Sequence, residues 1–180
     1  MKTGITIATL AVLALTGCAT LSEKECRGGD WYSIGLRDGA AGRTEDYVSQ
    51  HAAACQEFGV APDHDRWLEG RERGLERYCT ARNGYGVGEV GGTYQDVCFA
   101  GGDMEFRRGY DLGLRMNRIK GRLDQLENEI RTIEGTLSAK ADKLTDDERQ
   151  RLNYRLRELE YERGYVRRDH DDIEWRGRSL

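Results

Sequence analysis

The sequence predicts an all-α protein: a small disulfide-linked helical module with a Gly-rich loop, followed by a long antiparallel coiled-coil helical hairpin. One proline, Pro62, stands among 180 residues, and Arg, Glu and Leu, which favour helix, are abundant. In the C-terminal part, apolar residues follow one another at alternating spacings of four and three. Four cysteines are confined to the region before that run.

The first residues have the three parts of an export signal. Lys2 supplies a positive charge, residues 5–15 are apolar, and residues 15–18 read Leu-Thr-Gly-Cys. Because a membrane-spanning helix needs about 20 apolar residues, we expect residues 1–17 to be cleaved as a signal peptide. The Leu-x-Gly-Cys order resembles bacterial lipoprotein precursors, which implies lipidation of Cys18; an ordinary signal peptide with a chance cysteine is the alternative. Since Ala19 rather than Asp follows, the same resemblance implies the periplasmic face of the outer membrane.

Charge and motif content argue against several classes of function. The formal net charge is −4, and the arginines of the C-terminal half alternate with Glu and Asp, so we expect no nucleic-acid partner. The three histidines are scattered, and none stands in a recognisable nucleophile motif. We therefore expect no enzymatic activity, no cofactor and no resident metal.

The cysteines after Cys18 predict two disulfides, because an exported protein folds in an oxidising setting. They are Cys26, Cys55, Cys79 and Cys98. If Cys26 and Cys79 lie at adjacent ends of an antiparallel helix pair, the bonds are Cys26–Cys79 and Cys55–Cys98; the other connectivities stay open. A zinc site that uses His51 with Cys55, or His64, is the alternative, although the sequence has no Cys-x-x-Cys pair.

An aromatic-x-x-Gly-x-x-x-Gly pattern occurs three times. Its copies are Tyr32 with Gly35 and Gly39, Trp67 with Gly70 and Gly74, and Phe106 with Gly109 and Gly113. Glycines four residues apart fall on one helix face, where another backbone can approach closely. We interpret these residues, together with Trp31, as a helix-packing face. The alternative is a groove for a peptide or glycan, with Trp31, Tyr32 and Trp67 as stacking platforms.

Local signals place the helices of this module. We expect one helix from Asp30 that breaks near Gly42, and another that is capped by Asp63 and runs to about Arg82. Residues 83–93 contain five glycines, which predicts a loop held by the flanking cysteines rather than regular helix. That loop lacks the Gly-Lys-Ser/Thr ending of a phosphate-binding loop.

Several of these residues carry a resemblance to a known family. They are Trp31, Gly35, Asp38, Gly39 and Gly42, then Cys55, Gly59, Val60, Asp63, Gly70, Gly74, Leu75, Tyr78 and Cys79, and finally Gly84, Gly88, Gly91, Tyr94, Val97 and Cys98. In them the chain resembles bacterial lipoproteins of domain-of-unknown-function family 2799 over roughly residues 26–115. The stretch from Tyr78 to Cys98 is the most specific part, whereas Trp67 stands where Tyr is expected. The family has no assigned activity, so the resemblance implies an address and a module boundary.

The C-terminal part predicts two long helices. The first apolar seam is Leu112, Met116, Ile119, Leu123, Leu126, Ile130, Ile133 and Leu137, and the second is Leu152, Leu156, Leu159, Val166 and Ile173. Thr145 and Glu148 between the seams predict a capping box at the start of the second helix. Tyr154, Tyr161 and Tyr165 lie partly off the seam, which indicates a second contact: self-association, a partner helix or packing against the module.

The expected organisation has four parts. Residues 1–17 are the signal peptide, 18–29 the lipidated N-terminus and tether, 30–111 the Gly/aromatic-repeat helical module, and 112–180 the hairpin. The membrane is one expected partner, through the lipid. We expect the hairpin to bind an envelope protein or a second copy, which makes a non-enzymatic scaffold or adaptor the first hypothesis. A peptidoglycan- or peptide-binding lipoprotein that uses the Gly/aromatic face is the second.

Overall fold

The computed structural model describes residues 19–180, and every regular element in that range is helical. The helices are α1 (Glu23–Gly28), α2 (Trp31–Ala40), α3 (Val48–Cys55), α4 (His64–Tyr78), α5 (Ala81–Glu89), α6 (Ala100–Ala139) and α7 (Asp146–Arg178). Short 3-10 turns, Glu45–Tyr47 and Gln56–Phe58, flank α3. The all-α class is therefore confirmed. The predicted signal peptide and Cys18 lie outside the described residues.

The predicted helix starts are set by side chains that bind the first free backbone N–H groups. The Asp30 carboxylate accepts from Ser33 N at 3.1 Å, and that of Asp63 accepts from Arg66 N at 3.1 Å. The Thr145 hydroxyl accepts from the N–H of Glu148, whose carboxylate accepts from Thr145 N in return. These caps fix where α2, α4 and α7 begin, as the sequence predicts.

The Gly-rich segment is a helix, so the loop predicted for residues 83–93 is wrong over most of its length. Helix α4 ends at Tyr78, and α5 begins at Ala81, capped by the Thr80 side chain. Gly84 and Gly88 are buried on one face of α5, against α6. Packing on α6 offsets the roughly 1 kcal/mol that each glycine costs a helix relative to alanine. The chain leaves the helix only at Val90, and Gly91 takes a left-handed φ of 72°.

The module is built from two parallel helix pairs, α2 with α4 and α5 with α6. Gly35 lies against the backbone of Trp67 and Arg71, and Gly39, one turn later, against Arg71 and Leu75. Because both positions advance together, the two helices run in the same direction. Gly84 and Gly88 have the same relation to Phe106, Tyr110 and Leu114. The pattern therefore has four copies that act as two pairs, and the copy in α5 has Ala81 in place of the aromatic residue.

The disulfides are Cys26–Cys55 and Cys79–Cys98, with Cα–Cα distances of 5.5 and 5.6 Å. Two bonds were expected, but the predicted pairing of Cys26 with Cys79 and of Cys55 with Cys98 is wrong. That pairing assumed antiparallel helices, whereas parallel helices bring their N-terminal ends together. Each bond joins the segments that lead into the two helices of one pair, and Cys79 stands at the far end of α4.

Helices α6 and α7 form an antiparallel hairpin. Met116 packs with Ile173 near the module, and Leu126 packs with Leu159 farther out. Helix α6 is continuous from Ala100, so the predicted boundary between residues 111 and 112 falls inside a helix. At about 1.5 Å per residue its 40 residues span roughly 60 Å. The last turn of α7 returns to the module, where Gly177 lies against the ring of Tyr85.

Candidate functional site

The predicted Gly/aromatic face is a closed helix contact. A methyl group at Gly35 would overlap the carbonyl oxygen of Trp67, and one at Gly70 would overlap that of Tyr32. The residue three positions before each first glycine thus offers its carbonyl oxygen to the partner helix, and the relation is reciprocal. Membrane helices use the same small-residue geometry to cross closely, at distances where Cα–H···O contacts form. No room for a peptide or glycan is left along these glycines.

The aromatic residues of that face are covered as well. Trp31 is 5% exposed and Trp67 is fully buried. The ring of Tyr32 is half-buried, with the Arg66 guanidinium 5.2 Å from its centroid. Neither tryptophan presents an open surface on which a sugar or a side chain could stack. The ligand-binding hypothesis therefore loses the surface on which it was based.

Beneath this contact lies a chain of polar side chains that the sequence analysis did not assemble. Buried His51 lies 2.8 Å from Asp38 Oδ2 through Nε2 and 2.8 Å from Thr20 Oγ1 through Nδ1. The indole N–H of Trp67 donates to the same Asp38 oxygen at 2.8 Å, and the Thr20 hydroxyl also lies 3.2 Å from the carbonyl oxygen of Gln50. The only early sign was the spacing of His51 four residues before Cys55, which puts both on the inner face of α3.

These hydrogen bonds order residues 20–28, which follow Cys18 and Ala19. The order hydroxyl, imidazole, carboxylate is that of a hydrolase triad, but here the imidazole is 2% exposed and the hydroxyl also meets a backbone carbonyl. Leu21 is 3% exposed, α1 follows at once, and Cys26 is bonded to Cys55. Residues 20–28 are thus part of the folded body, which corrects the expected tether over residues 18–29. These contacts hold residues 20–28 against the module.

A buried arginine completes the contact between α2 and α4. Arg71 is 5% exposed, and its Nε donates to the carbonyl oxygen of Arg43 at 2.8 Å. Burial lowers the pKa of its guanidinium, and the surrounding acidic residues, with Glu45 and Glu72 foremost, offset part of that effect. The interaction ties the turn after α2 to the middle of α4.

The residues that carry the family resemblance between Cys79 and Cys98 have structural roles. Tyr94 packs on Phe106 with ring centroids 4.4 Å apart, and its hydroxyl donates to the carboxylate of Asp103. Burial, and then the hydrogen bond to that carboxylate, raise the pKa of Tyr94 to about 12. The backbone N–H of Cys98 donates to the same hydroxyl at 3.2 Å. The specific Tyr-and-Cys segment therefore closes the core shared by the end of α4 and the start of α6.

The residues proposed as zinc ligands either bond to other side chains or lie apart from one another. Cys55 is disulfide-bonded, His51 bonds Thr20 and Asp38, and His64 lies half-exposed beside Asp65. A different group on α7 brings one ligand atom each from His170, Asp171 and Glu174 within 4.8 Å of one another. Its residues lie at the surface, where His170 Nδ1 is 3.1 Å from the Asp171 carboxylate.

The large hydrophobic side chains of α7 that are exposed share one face of that helix. They are Tyr154, Tyr161, Tyr165 and Trp175, with 59, 80, 57 and 64% of their surface exposed. At about 100° per residue they fall within an arc of roughly 80°, on the side away from the buried Leu159 and Ile173. We call these four residues the outer stripe. The off-seam tyrosines of the sequence analysis belong to it, and Trp175 extends it by ten residues toward the module.

In residues 19–180, no helix is long and apolar enough to cross a membrane.

Comparison with known proteins gives a family without an assigned activity. No curated protein and no solved structure matches the chain. A family model described as "Protein of unknown function (DUF2799)" matches residues 30–115, which run from the cap of α2 to the part of α6 that packs on α5. The resemblance drawn from the glycine, tyrosine and cysteine spacing is thereby confirmed: residues 30–115 match the model of the DUF2799 family.

Proposed function

We propose that this protein is a non-enzymatic envelope lipoprotein, attached by lipid on Cys18 to the periplasmic face of the outer membrane, where it acts as a scaffold or adaptor. Its disulfide-bonded module carries the anchor, and its hairpin carries the surface that binds another protein.

The observation that carries the proposal is the outer stripe. Large aromatic side chains dominate binding energy at protein interfaces because they bury much area for little conformational entropy. Four of them in one line on a solvated helix form an apolar surface rimmed by charges, which is typical of an interaction site. The seam that holds α6 to α7 does not use any of the four.

The docked N-terminus supports the anchoring half of the proposal. Thr20 and Leu21 already belong to the folded module, so only Ala19 separates the described body from Cys18. Lipid on Cys18 would hold the module at the membrane surface with little slack, while the far end of the hairpin lies tens of ångströms from the α5–α6 contact.

Labelling with a radioactive or clickable fatty acid in the cell of origin tests the anchor. We expect the wild-type chain to take up label and fractionate with the outer membrane, and the Cys18→Ala variant to lose the label. A wild-type chain that is exported without label would overturn the anchor but leave the hairpin surface untouched.

Photo-crosslinking tests the adaptor role separately. A benzophenone amino acid in place of Tyr161 should give discrete crosslinked species in cells, whereas the same probe in place of Glu134, exposed on α6, should give none. Absence of any discrete species from Tyr161, with normal protein levels, would contradict the role. The mass of each species identifies what the stripe binds.

A further inference from the structure

The outer stripe is part of a second heptad seam on α7. Taken at spacings of three and four, the seam reads Arg151, Tyr154, Glu158, Tyr161, Tyr165, Arg168, Asp172 and Trp175. All eight are exposed. In heptad terms Arg151, Glu158, Tyr165 and Asp172 hold the a positions, and the other four hold the d positions. The helix therefore has an inner seam against α6 and an outer one that no other helix of residues 19–180 covers; Glu158 and Asp172 pair there with Arg155 and Arg176 of α7 itself.

This outer seam is complementary to itself when reversed. In an antiparallel pair of helices each a position packs beside a d position of the other helix. A register that places Tyr161 beside Tyr165 of a second copy also places Glu158 beside Arg168, with the two-fold axis at the level of residue 163. The next layers outward are Tyr154 beside Asp172 and Arg151 beside Trp175.

Every layer of that register is favourable. The centre joins tyrosine to tyrosine, and the layers on either side join a carboxylate to a guanidinium. Beyond them, a tyrosine hydroxyl meets a carboxylate and a guanidinium meets an indole face. Like charges do not meet at any layer.

The available area also fits a second copy. Each large aromatic residue buries 150–250 Å², so four from each copy supply on the order of 1,000 Å², near the lower end of specific protein interfaces. A lipid surface fits less well, because Glu158 and Asp172 lie within the seam, and burial of their carboxylates against lipid would be unfavourable.

We propose that α7 pairs with α7 of a second copy through this outer seam, antiparallel and centred at residue 163, so that the adaptor acts as a homodimer. The inference rests on the adaptor function proposed above and names the occupant of its surface. In the dimer the two modules lie at opposite ends of the paired helices. With both anchors in one membrane, the two-fold axis stands along the membrane normal and the hairpins lie along the surface.

Charge reversal tests the register. Glu158→Arg places arginine beside Arg168 of the second copy at two symmetric positions, and Arg168→Glu does the converse. By sedimentation equilibrium of the full lipidated chain in density-matched detergent, we expect each single variant to raise the dimer Kd by about tenfold or more. The double variant, Glu158→Arg with Arg168→Glu, restores the complement and should return the Kd to near the wild-type value.

A matched control keeps the result specific. Glu160→Arg makes the same charge change on an exposed residue of α7 outside the seam, and it should leave the Kd unchanged. A wild-type chain that is monomeric at all accessible concentrations overturns the proposal. So does a double variant as weak as the single ones.

Cysteine crosslinking in membranes tests direction. Chains with Tyr154→Cys, co-expressed with chains that carry Asp172→Cys, should crosslink to each other, since these positions share a layer. Crosslinks of Tyr154→Cys chains to themselves would indicate a parallel pair and overturn the register. If the Tyr161 probe instead captures a different protein, the adaptor function stands and the second copy fails.

Discussion

The module and the hairpin contain the same residue type in opposite roles. In the module, paired glycines face the backbone of a neighbouring helix so closely that a methyl group would overlap a carbonyl oxygen. In the hairpin, Gly121, Gly135 and Gly164 have nothing within 4 Å of the place where a Cβ would stand. The paired helices of the module meet through their backbones, whereas the helices of the hairpin meet through side chains.

The difference shows where binding can occur. Along the paired glycines of the module, the close backbones leave little side-chain surface for a partner. The hairpin is held by its inner seam and by ion pairs between helices, such as Arg122 with Glu162 at 2.6 Å and Arg155 with Glu129 at 3.1 Å. Its outer face is left free to change without loss of the fold.

Alanine substitution of a glycine should give opposite results in the two regions. Gly70→Ala forces α2 and α4 apart, and we expect a loss of about 3 kcal/mol or more, or failure to fold, from backbone overlap. Gly135→Ala should stabilise the hairpin by about 0.5–1 kcal/mol, because alanine favours helix. Urea unfolding followed by circular dichroism measures both. Equal effects at the two sites would contradict the comparison.

Removal of the first disulfide should destabilise the module alone. Cys26 and Cys55 are 29 residues apart, and loss of a bond that closes such a loop costs about 3–4 kcal/mol. In the Cys26→Ala/Cys55→Ala variant we expect hydrogen exchange to accelerate in α1 to α4, while amides around Leu126 and Leu159 keep their protection. Faster exchange around Leu126 and Leu159 would mean that the regions fold as one unit.

Loss of the buried His51 imidazole should release the segment around Thr20 and Leu21 from the module. His51→Ala removes a partner from Asp38 and Thr20, and the expected cost is about 2 kcal/mol. Limited proteolysis between residues 19 and 22 should accelerate in this variant. His170→Ala, on the partly exposed surface of α7, is the control and should change stability by less than about 0.5 kcal/mol. Unchanged cleavage in His51→Ala would show that the burial of Leu21 holds the segment without help.

The smallest effect compares the two capping boxes. Hydrogen bonds from the Ser22 backbone and side chain, and then from Arg37, lower the pKa of Glu25 to about 2. Since this folded-state pKa lies below the ordinary 4.5, its stabilisation is complete above pH 4.5 and is lost as the pH falls from about 4.5 through about 2. Solvent screening keeps this stabilisation below about 1 kcal/mol.

Glu25→Gln should flatten acid unfolding in that window more than Glu148→Gln, whose carboxylate lacks a partner like Arg37. Equal profiles would contradict this.

Local chemistry made part of the structure predictable. The caps at Asp30, Asp63 and Thr145 depend on residues three positions apart, so the sequence contains the whole interaction. The periodic seams likewise predict two long helices. The family match followed from the glycine, tyrosine and cysteine spacing of residues 78–98, because those residues form the core between two helices.

The wrong predictions concern features that tertiary contacts decide. Five glycines in residues 83–93 disfavour helix locally, but contact with α6 decides the conformation, and Ala81 in place of an aromatic residue hid the fourth copy. The disulfide pairing depended on whether neighbouring helices run parallel or antiparallel, which no local signal states. The chain Thr20, His51, Asp38 and Trp67 comes from four separate segments, so only the folded backbone brings it together.

The order of the disulfides has a consequence for biosynthesis. The four cysteines after Cys18 bond in consecutive pairs, Cys26 with Cys55 and Cys79 with Cys98. In a chain that crosses a membrane N-terminus first, each thiol would meet its native partner before any later cysteine had emerged. If the Cys18 thiol carries the proposed lipid and cannot react, an oxidant that joins thiols in order of arrival would make both native bonds without reshuffling, and their formation would need no isomerase.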